Sequence, residues 1–349
     1  MTLQREKRPI RVLVIDDSAF MRKAISLMLQ SDPEIQVVGT ARDGEEGIEK
    51  LKANRPDIVT LDIEMPRMAG MATLEWIMKE QPCSVLMVSS STREGAEVTL
   101  RALELGAVDF IAKTDGGGMD IMRIQDELLR KVKAIARRRG GSQIPFHPAP
   151  SVPRTVPKLH RDAEIVAIGS STGGPQALQV ICSNLPHDFP CGVLLIQHMP
   201  PAFTGPLAAR LNGLSKLEVS EAVPNDLVEP GRVFLAPGGF HLTLRRDGHR
   251  VVVALSEEPR ALLHRPSVDV TFLSVAETYG GRSVGVVLTG MGSDGLRGTR
   301  AIKAAGGIAI AQDEESSVVY GMPRAVTEAG LADQVLPLSA IPEAIVHSV

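Results

Sequence analysis

The chain has 349 residues, 44% of them hydrophobic and 23% charged, with a formal net charge of −3. This is the make-up of a globular protein of roughly two domains, without the charge excess that draws a chain to nucleic acid or membrane. An aromatic content of 3% leaves few rings for stacking single-stranded bases. No apolar run approaches the ~18–20 residues of a membrane span, and the polar start, residues 2–9, does not read as a secretory leader. Cys83, Cys182 and Cys191 lack metal-ligand spacing and read as small core residues of a cytoplasmic protein.

In chain order, residues 10–15, 35–38, 58–61, 85–88 and 108–111 are short apolar runs that read as strands. Met21, Ile25, Met28 and Leu29 recur at helical spacing between the first two, Asp43-Gly44 opens a second helix, and Met71, Leu74 and Ile77 mark a third. A last helix over 121–138 carries Ile124, Leu128, Val132 and Ile135 as one stripe. Strand–helix alternation of this kind predicts a parallel sheet covered on both faces. Residues 139–161 then lose periodicity and gather prolines at 145, 148, 150, 153 and 157, which predicts an extended linker. The arginines at 137–139 suit a solvated helix end better than a nucleic-acid patch.

Alternation resumes with strands at 165–168, 193–196, 232–235, 284–288 and 308–311, and helices over 176–184, 203–212, 267–279, 295–305 and 323–329. A hairpin turns at Asp247-Gly248. The expected fold class is α/β: a flavodoxin-like doubly wound domain at 8–138, a linker at 139–161, and a Rossmann-like doubly wound domain with a β-hairpin at 162–349.

In the first half, Asp16-Asp17 follow one strand and Asp62 ends another, so a doubly wound sheet gathers three carboxylates in one crevice. Their repulsion calls for a hard divalent cation, and Mg²⁺ suits oxygen ligands. Ser89 and Lys113 end the next two strands and bring a hydroxyl and an ammonium to the same rim. This is the chemistry of an aspartyl phosphate. The runs Val14-Ile15-Asp16-Asp17-Ser18, Leu61-Asp62-Ile63-Glu64-Met65-Pro66, Met87-Val88-Ser89-Ser90 and Asp109-Phe110-Ile111-Ala112-Lys113 resemble the receiver domain of bacterial response regulators. The resemblance implies that Asp62 is the phosphoacceptor, that Asp16, Asp17 and Asp62 hold Mg²⁺, and that Ser89 and Lys113 complete the switch. Receivers commonly carry proline after this lysine; Thr114 stands here, which puts the usual cis peptide in question.

In the second half, Ile165-Val166-Ala167-Ile168-Gly169-Ser170-Ser171-Thr172-Gly173 climbs a strand into a G-x-S-x-G turn before a helix. Such an elbow exposes a serine hydroxyl, here Ser171, as a nucleophile; a glycine-rich phosphate cradle is the other reading. A dinucleotide site wants an acidic residue near the end of the second strand, where this chain has Gln197-His198. His198 and Asp294 both follow strands, so base and orienting acid come to the serine's rim, in the chain order Ser–His–Asp that differs from the α/β-hydrolases. Ser316 and Ser317 lack a glycine elbow. His147, His160, His187, His249 and His347 lack ligand spacing, and His241 reads as a hairpin residue.

Gly169-Ser170-Ser171-Thr172-Gly173-Gly174, Gln197-His198-Met199-Pro200-Pro201, His264-Arg265-Pro266-Ser267-Val268-Asp269 and Leu288-Thr289-Gly290-Met291-Gly292-Ser293-Asp294-Gly295 resemble the bacterial chemotaxis protein-glutamate methylesterases. These join an amino-terminal receiver to a carboxy-terminal serine hydrolase, so the resemblance covers nearly the whole chain. It implies a Ser171–His198–Asp294 triad, an oxyanion hole at the backbone of Thr172 and Met291, and His264 lining the site. It implies a phosphorylation-activated cytoplasmic enzyme that removes methyl esters from glutamates on cytoplasmic helices of chemoreceptors and deamidates receptor glutamines. The partners implied are those receptors and a chemotaxis histidine kinase as phosphodonor, with no nucleic acid and no membrane insertion; Mg²⁺ belongs to the receiver and no cofactor to the esterase site. The same chemistry on a methylated receptor outside chemotaxis, or a scaffold with a decayed site, are the alternatives.

Overall fold

Short apolar runs between amphipathic segments give two parallel sheets in the computed structural model, which describes residues 8–90, 92–113, 118–137 and 163–349. They fall into two compact units, within Met1–Phe146 and His147–Val349. The expected linker at 139–161 and the Lys113-Thr114 peptide lie outside the described residues.

The first unit runs β1 (Ile10–Ile15), α1 (Ala19–Gln30), β2 (Ile35–Ala41), α2 (Gly44–Asn54), β3 (Ile58–Asp62), α3 (Gly70–Glu80), β4 (Ser84–Ser90), α4 (Arg93–Glu104), β5 (Asp109–Lys113) and α5 (Gly118–Ala136). Among the described residues its sheet is parallel throughout, in the order β2-β1-β3-β4-β5. Val12 and Val14 of β1 and Leu86 and Val88 of β4 bury against Ile25 and Leu29 of α1 and Leu128 and Val132 of α5. Side chains start the helices: Ser18, Asp43 and Thr92 accept the N–H groups of Met21, Glu46 and Gly95. α4 has no sequence-level counterpart. Most of its buried positions are small, Gly95, Ala96, Thr99 and Ala102, so no large apolar stripe announces it.

The second unit runs β6 (Ile165–Ser170), α6 (Gly174–Asn184), β7 (Gly192–Gln197), α7 (Pro201–Leu214), β8 (Glu218–Glu221), β9 (Arg232–Leu235), β10 (His241–Asp247), β11 (Arg250–Ser256), α8 (Val268–Tyr279), β12 (Ser283–Val287), α9 (Leu296–Ala304), β13 (Ile308–Gln312), α10 (Met322–Glu328), β14 (Gln334–Leu336) and α11 (Ile341–Val346). Its main sheet is parallel, ordered β14-β13-β12-β6-β7-β9-β8, and β10-β11 form the expected antiparallel hairpin. From β6 the chain works outward through β7 on one side, then returns at β12 and works outward on the other. The switch in direction therefore opens a crevice above the carboxyl ends of β6 and β12. β8 and β14, each at one edge of the sheet, were not legible in the sequence. The three cysteines are free thiols, with Cys182 and Cys191 buried as small core residues, and burial pushes these two thiols up to about 12.

Candidate active site and carboxylate cluster

In the first unit, Asp16 and Asp17 leave the carboxyl end of β1 and Asp62 closes the adjacent β3, because these strands pair in register. The three residues each offer a carboxylate oxygen within 4.8 Å of one another. Asp16 and Asp62 are buried and Asp17 is exposed. Lys113 Nζ, from the end of β5, lies 2.7 Å from Asp62 Oδ2 and 3.2 Å from Asp16 Oδ2. Burial, with the Asp16 carboxylate adding to it, pushes Asp62 up to about 6 against the opposing pull of Lys113. Burial would lower Lys113, but the Asp62 and Asp16 carboxylates hold it above its ordinary value.

Three carboxylates facing the one ammonium of Lys113 leave an excess of negative charge at this rim. An all-oxygen carboxylate donor set of this kind fits Mg²⁺. Ser89, at the end of β4, is fully buried, and its hydroxyl accepts from Thr99 Oγ1 at 2.6 Å and donates to the Gly95 carbonyl at 3.2 Å, both in α4.

In the second unit, β6 and β7 pair so that Ser170 faces Gln197. Ser171 and His198 therefore leave neighbouring strands at one level, and His198 N–H donates to the Ser170 carbonyl at 3.1 Å. Gln197 braces the elbow: Ser170 Oγ donates to its Oε1 at 2.7 Å, and its Nε2 donates to the Ser171 and His198 carbonyls at 2.9 and 3.0 Å. A Cβ on Gly174 would stand 1.9 Å from Gln197 Oε1, so this brace requires glycine there.

His198 Nε2 lies 2.8 Å from Asp294 Oδ2. With that nitrogen donating to a carboxylate, the neutral ring keeps its lone pair on Nδ1, which is buried and without a partner. His264 stacks on the His198 ring, centroids 4.0 Å apart and planes 13° from parallel. Thr172, directly after Ser171, is buried. The Met291 segment runs close beside the serine: a Cβ on Gly290 would fall 2.8 Å from Ser171 Cβ, and Ser171 N–H donates to the Thr289 carbonyl at 3.0 Å.

Asp294 is held by the amino end of α8. Its Oδ1 accepts from Ser267 Oγ at 3.0 Å and Asp269 N at 2.8 Å, and its Oδ2 from Val268 N at 2.8 Å. Burial alone would raise its carboxyl; hydrogen bonding and charge from His198, with the α8 amides, hold it well below the usual carboxylate range. The six second-unit residues expected at a site, Ser171, Thr172, His198, His264, Met291 and Asp294, thus belong to segments around one crevice, with a carboxylate–imidazole pair at its centre and the serine on the adjoining elbow. Such an arrangement can act as a base through its buried Nδ1, oriented by a carboxylate that stays ionised.

Residues 166–345 match the family described as CheB methylesterase, and residues 12–118 match the response regulator receiver domain. The chain belongs to the CheB methylesterase family. It is 48% identical over 367 residues to a protein-glutamate methylesterase/protein-glutamine glutaminase of Oleidesulfovibrio alaskensis, covering 97% of this chain and 99% of that protein. A protein of the same description from Symbiobacterium thermophilum is 49% identical over 360 residues, covering 99% and 98%. The second unit also resembles the crystal structure of the Thermotoga maritima CheB methylesterase catalytic domain, at 47% identity and a TM-score of 0.52, covering 53% of this chain and 97% of that one.

Around the site of this family member stand residues that the sequence reading passed over. Asp269, in the first turn of α8, accepts from Gly295 N at 3.0 Å and Gly298 N at 2.8 Å, the amino end of α9. Asp294 and Asp269 thus each satisfy the amides of the other's helix. His241, expected to be an ordinary hairpin residue, is fully buried and takes the Ser267 N–H on Nδ1 at 3.2 Å; burial lowers its pKa. An aspartate in a first helical turn carries a capping signal in sequence, but nothing in sequence says which helix it caps. Ser316 and Ser317 are occupied structurally, their hydroxyls donating to Asp313 at 2.6 Å each. Among the described residues no helix is long and apolar enough to cross a membrane.

Proposed function

We propose that the chain is a phosphorylation-activated hydrolase that removes methyl esters from glutamates on the cytoplasmic helices of chemoreceptors and deamidates receptor glutamines. On this reading it works in the cytoplasm, with a regulatory domain at 8–138, a linker at 139–161 and a catalytic domain at 162–349. The names of its relatives support the substrate class, and the His198–Asp294 pair beside the Ser171 elbow is the observation that carries the chemistry.

Ser171 Oγ attacks the ester carbonyl and passes its proton to His198 Nδ1, while Asp294 holds the opposite nitrogen and balances the imidazolium that forms. The backbone N–H groups of Thr172 and Met291 receive the oxyanion. His198 returns the proton to the leaving methoxide, so methanol departs and an acyl-enzyme remains. Water, deprotonated by the same nitrogen, then releases glutamate. A glutamine side chain follows the same course with ammonia as leaving group. His264 lines the site and keeps the His198 ring in plane.

Asp62 accepts the phosphoryl group from a chemotaxis histidine kinase. Asp16, Asp17 and Asp62 would hold Mg²⁺, which when bound neutralises the crowded oxygens during transfer. Lys113 pairs with the new charge, and Ser89 reports it. The test is methanol release from methylated receptor membranes, with and without a small phosphodonor. Release that rises with phosphodonor and vanishes in Ser171→Ala is expected; equal release in the variant would reject Ser171 as nucleophile.

A further inference from the structure

At the end of the second sheet opposite Ser171, a cavity of about 270 Å³ opens beneath the start of β6 and β12. Arg246, Arg250 and Arg282 reach it from β10, β11 and the approach to β12, with His249 from the hairpin turn and Tyr279 from the end of α8. Glu164 is its one carboxylate, and Val228 and Val251 supply apolar wall.

The geometry points to a binding site for a small oligophosphate, a pyrophosphate or the phosphate tail of a nucleotide. Three guanidinium groups against one carboxylate leave excess positive charge in a concave site, which favours an anion. Two of the arginines are already tethered. Arg246 Nη2 donates to the Thr278 carbonyl at 2.6 Å, and Arg282 pairs with Glu164, so less side-chain freedom is lost on binding. The carboxyl end of a helix would normally repel an anion. Here the Thr278 carbonyl is covered by Arg246, and the Tyr279 carbonyl accepts the Arg282 N–H at 3.2 Å.

Burial first, and the Glu164 carboxylate second, push the Tyr279 phenol up to about 12, so it remains a proton donor. Guanidinium forks match phosphate well, since its terminal group offers three acceptor oxygens against the two of a carboxylate. The volume lies just below the ~300–1,000 Å³ of ordinary ligand pockets, which suits a compact anion. The 12 residues of α8, about 18 Å of helix, run from the Asp294 end to this cavity, so it is no part of the esterase crevice.

Calorimetric titration of the full chain with pyrophosphate tests the site, in low salt and with EDTA so that the Asp62 cluster recruits no metal-bound phosphate. One pyrophosphate per chain is expected, with binding about tenfold weaker in Arg250→Gln and in Arg246→Gln, both of which change exposed side chains. ADP binding more tightly than pyrophosphate identifies a nucleotide as the source of the phosphate; equal or weaker ADP binding identifies a free oligophosphate. The proposal is overturned if pyrophosphate does not bind, if both variants retain wild-type affinity, or if sulfate at matched ionic strength binds equally well.

Discussion

Asp294 receives more hydrogen bonds than any role as a lone counter-charge would need, from Ser267, Val268, Asp269 and His198. A carboxylate so saturated stays ionised beside the imidazole ring. Its depressed pKa also has a stability consequence. The contribution is complete above the unfolded value of about 4 and is lost as pH falls through the lower folded value. Urea unfolding should therefore show a larger penalty for Asp294→Asn at pH 7 than at pH 3; a penalty independent of pH would refute this. Ser171→Ala should preserve the fold and cut turnover by roughly 10³-fold or more, read as methanol release beside an unchanged melting curve.

At the scale of elements, α8 and α9 are held together by exchanged carboxylates. Asp269→Ala removes the acceptor for two amides of α9 and should cost about 2–3 kcal/mol of stability. It should also lower kcat more than KM, because the Asp294 loop loses its anchor. Unaltered kcat and stability would mean that α9 needs no such cap. The strands that frame the crevice were readable because they are continuous apolar runs, as in Val193 to Ile196. The edge strand Glu218–Glu221 was not, since its one buried apolar residue, Val219, stands among polar neighbours and makes no apolar run. Ser171, His198 and Asp294 were legible for a related reason: each follows a run whose strand nature was plain, and a doubly wound sheet sends such positions to one rim. Asp269 and His241 were not, because their work depends on which helix lies opposite them, a matter of packing that no spacing along the chain encodes.

For the whole molecule, the two units carry separate chemistry, and variants can separate them. Asp62→Asn should abolish activation by a small phosphodonor and leave basal esterase activity near wild type; persistent activation would move the phosphoacceptor elsewhere. A chain beginning near residue 141 should show higher basal activity than the full protein, if the first unit acts as a restraint. A folded truncation that is slower instead would contradict that role.

The exchanged carboxylates carry one more consequence. Because the loop that carries Asp294 is tied to the amino ends of two helices at once, it should melt together with them. On heating, esterase activity and the helical signal of the second unit should disappear at the same temperature, with no inactive yet folded species between them.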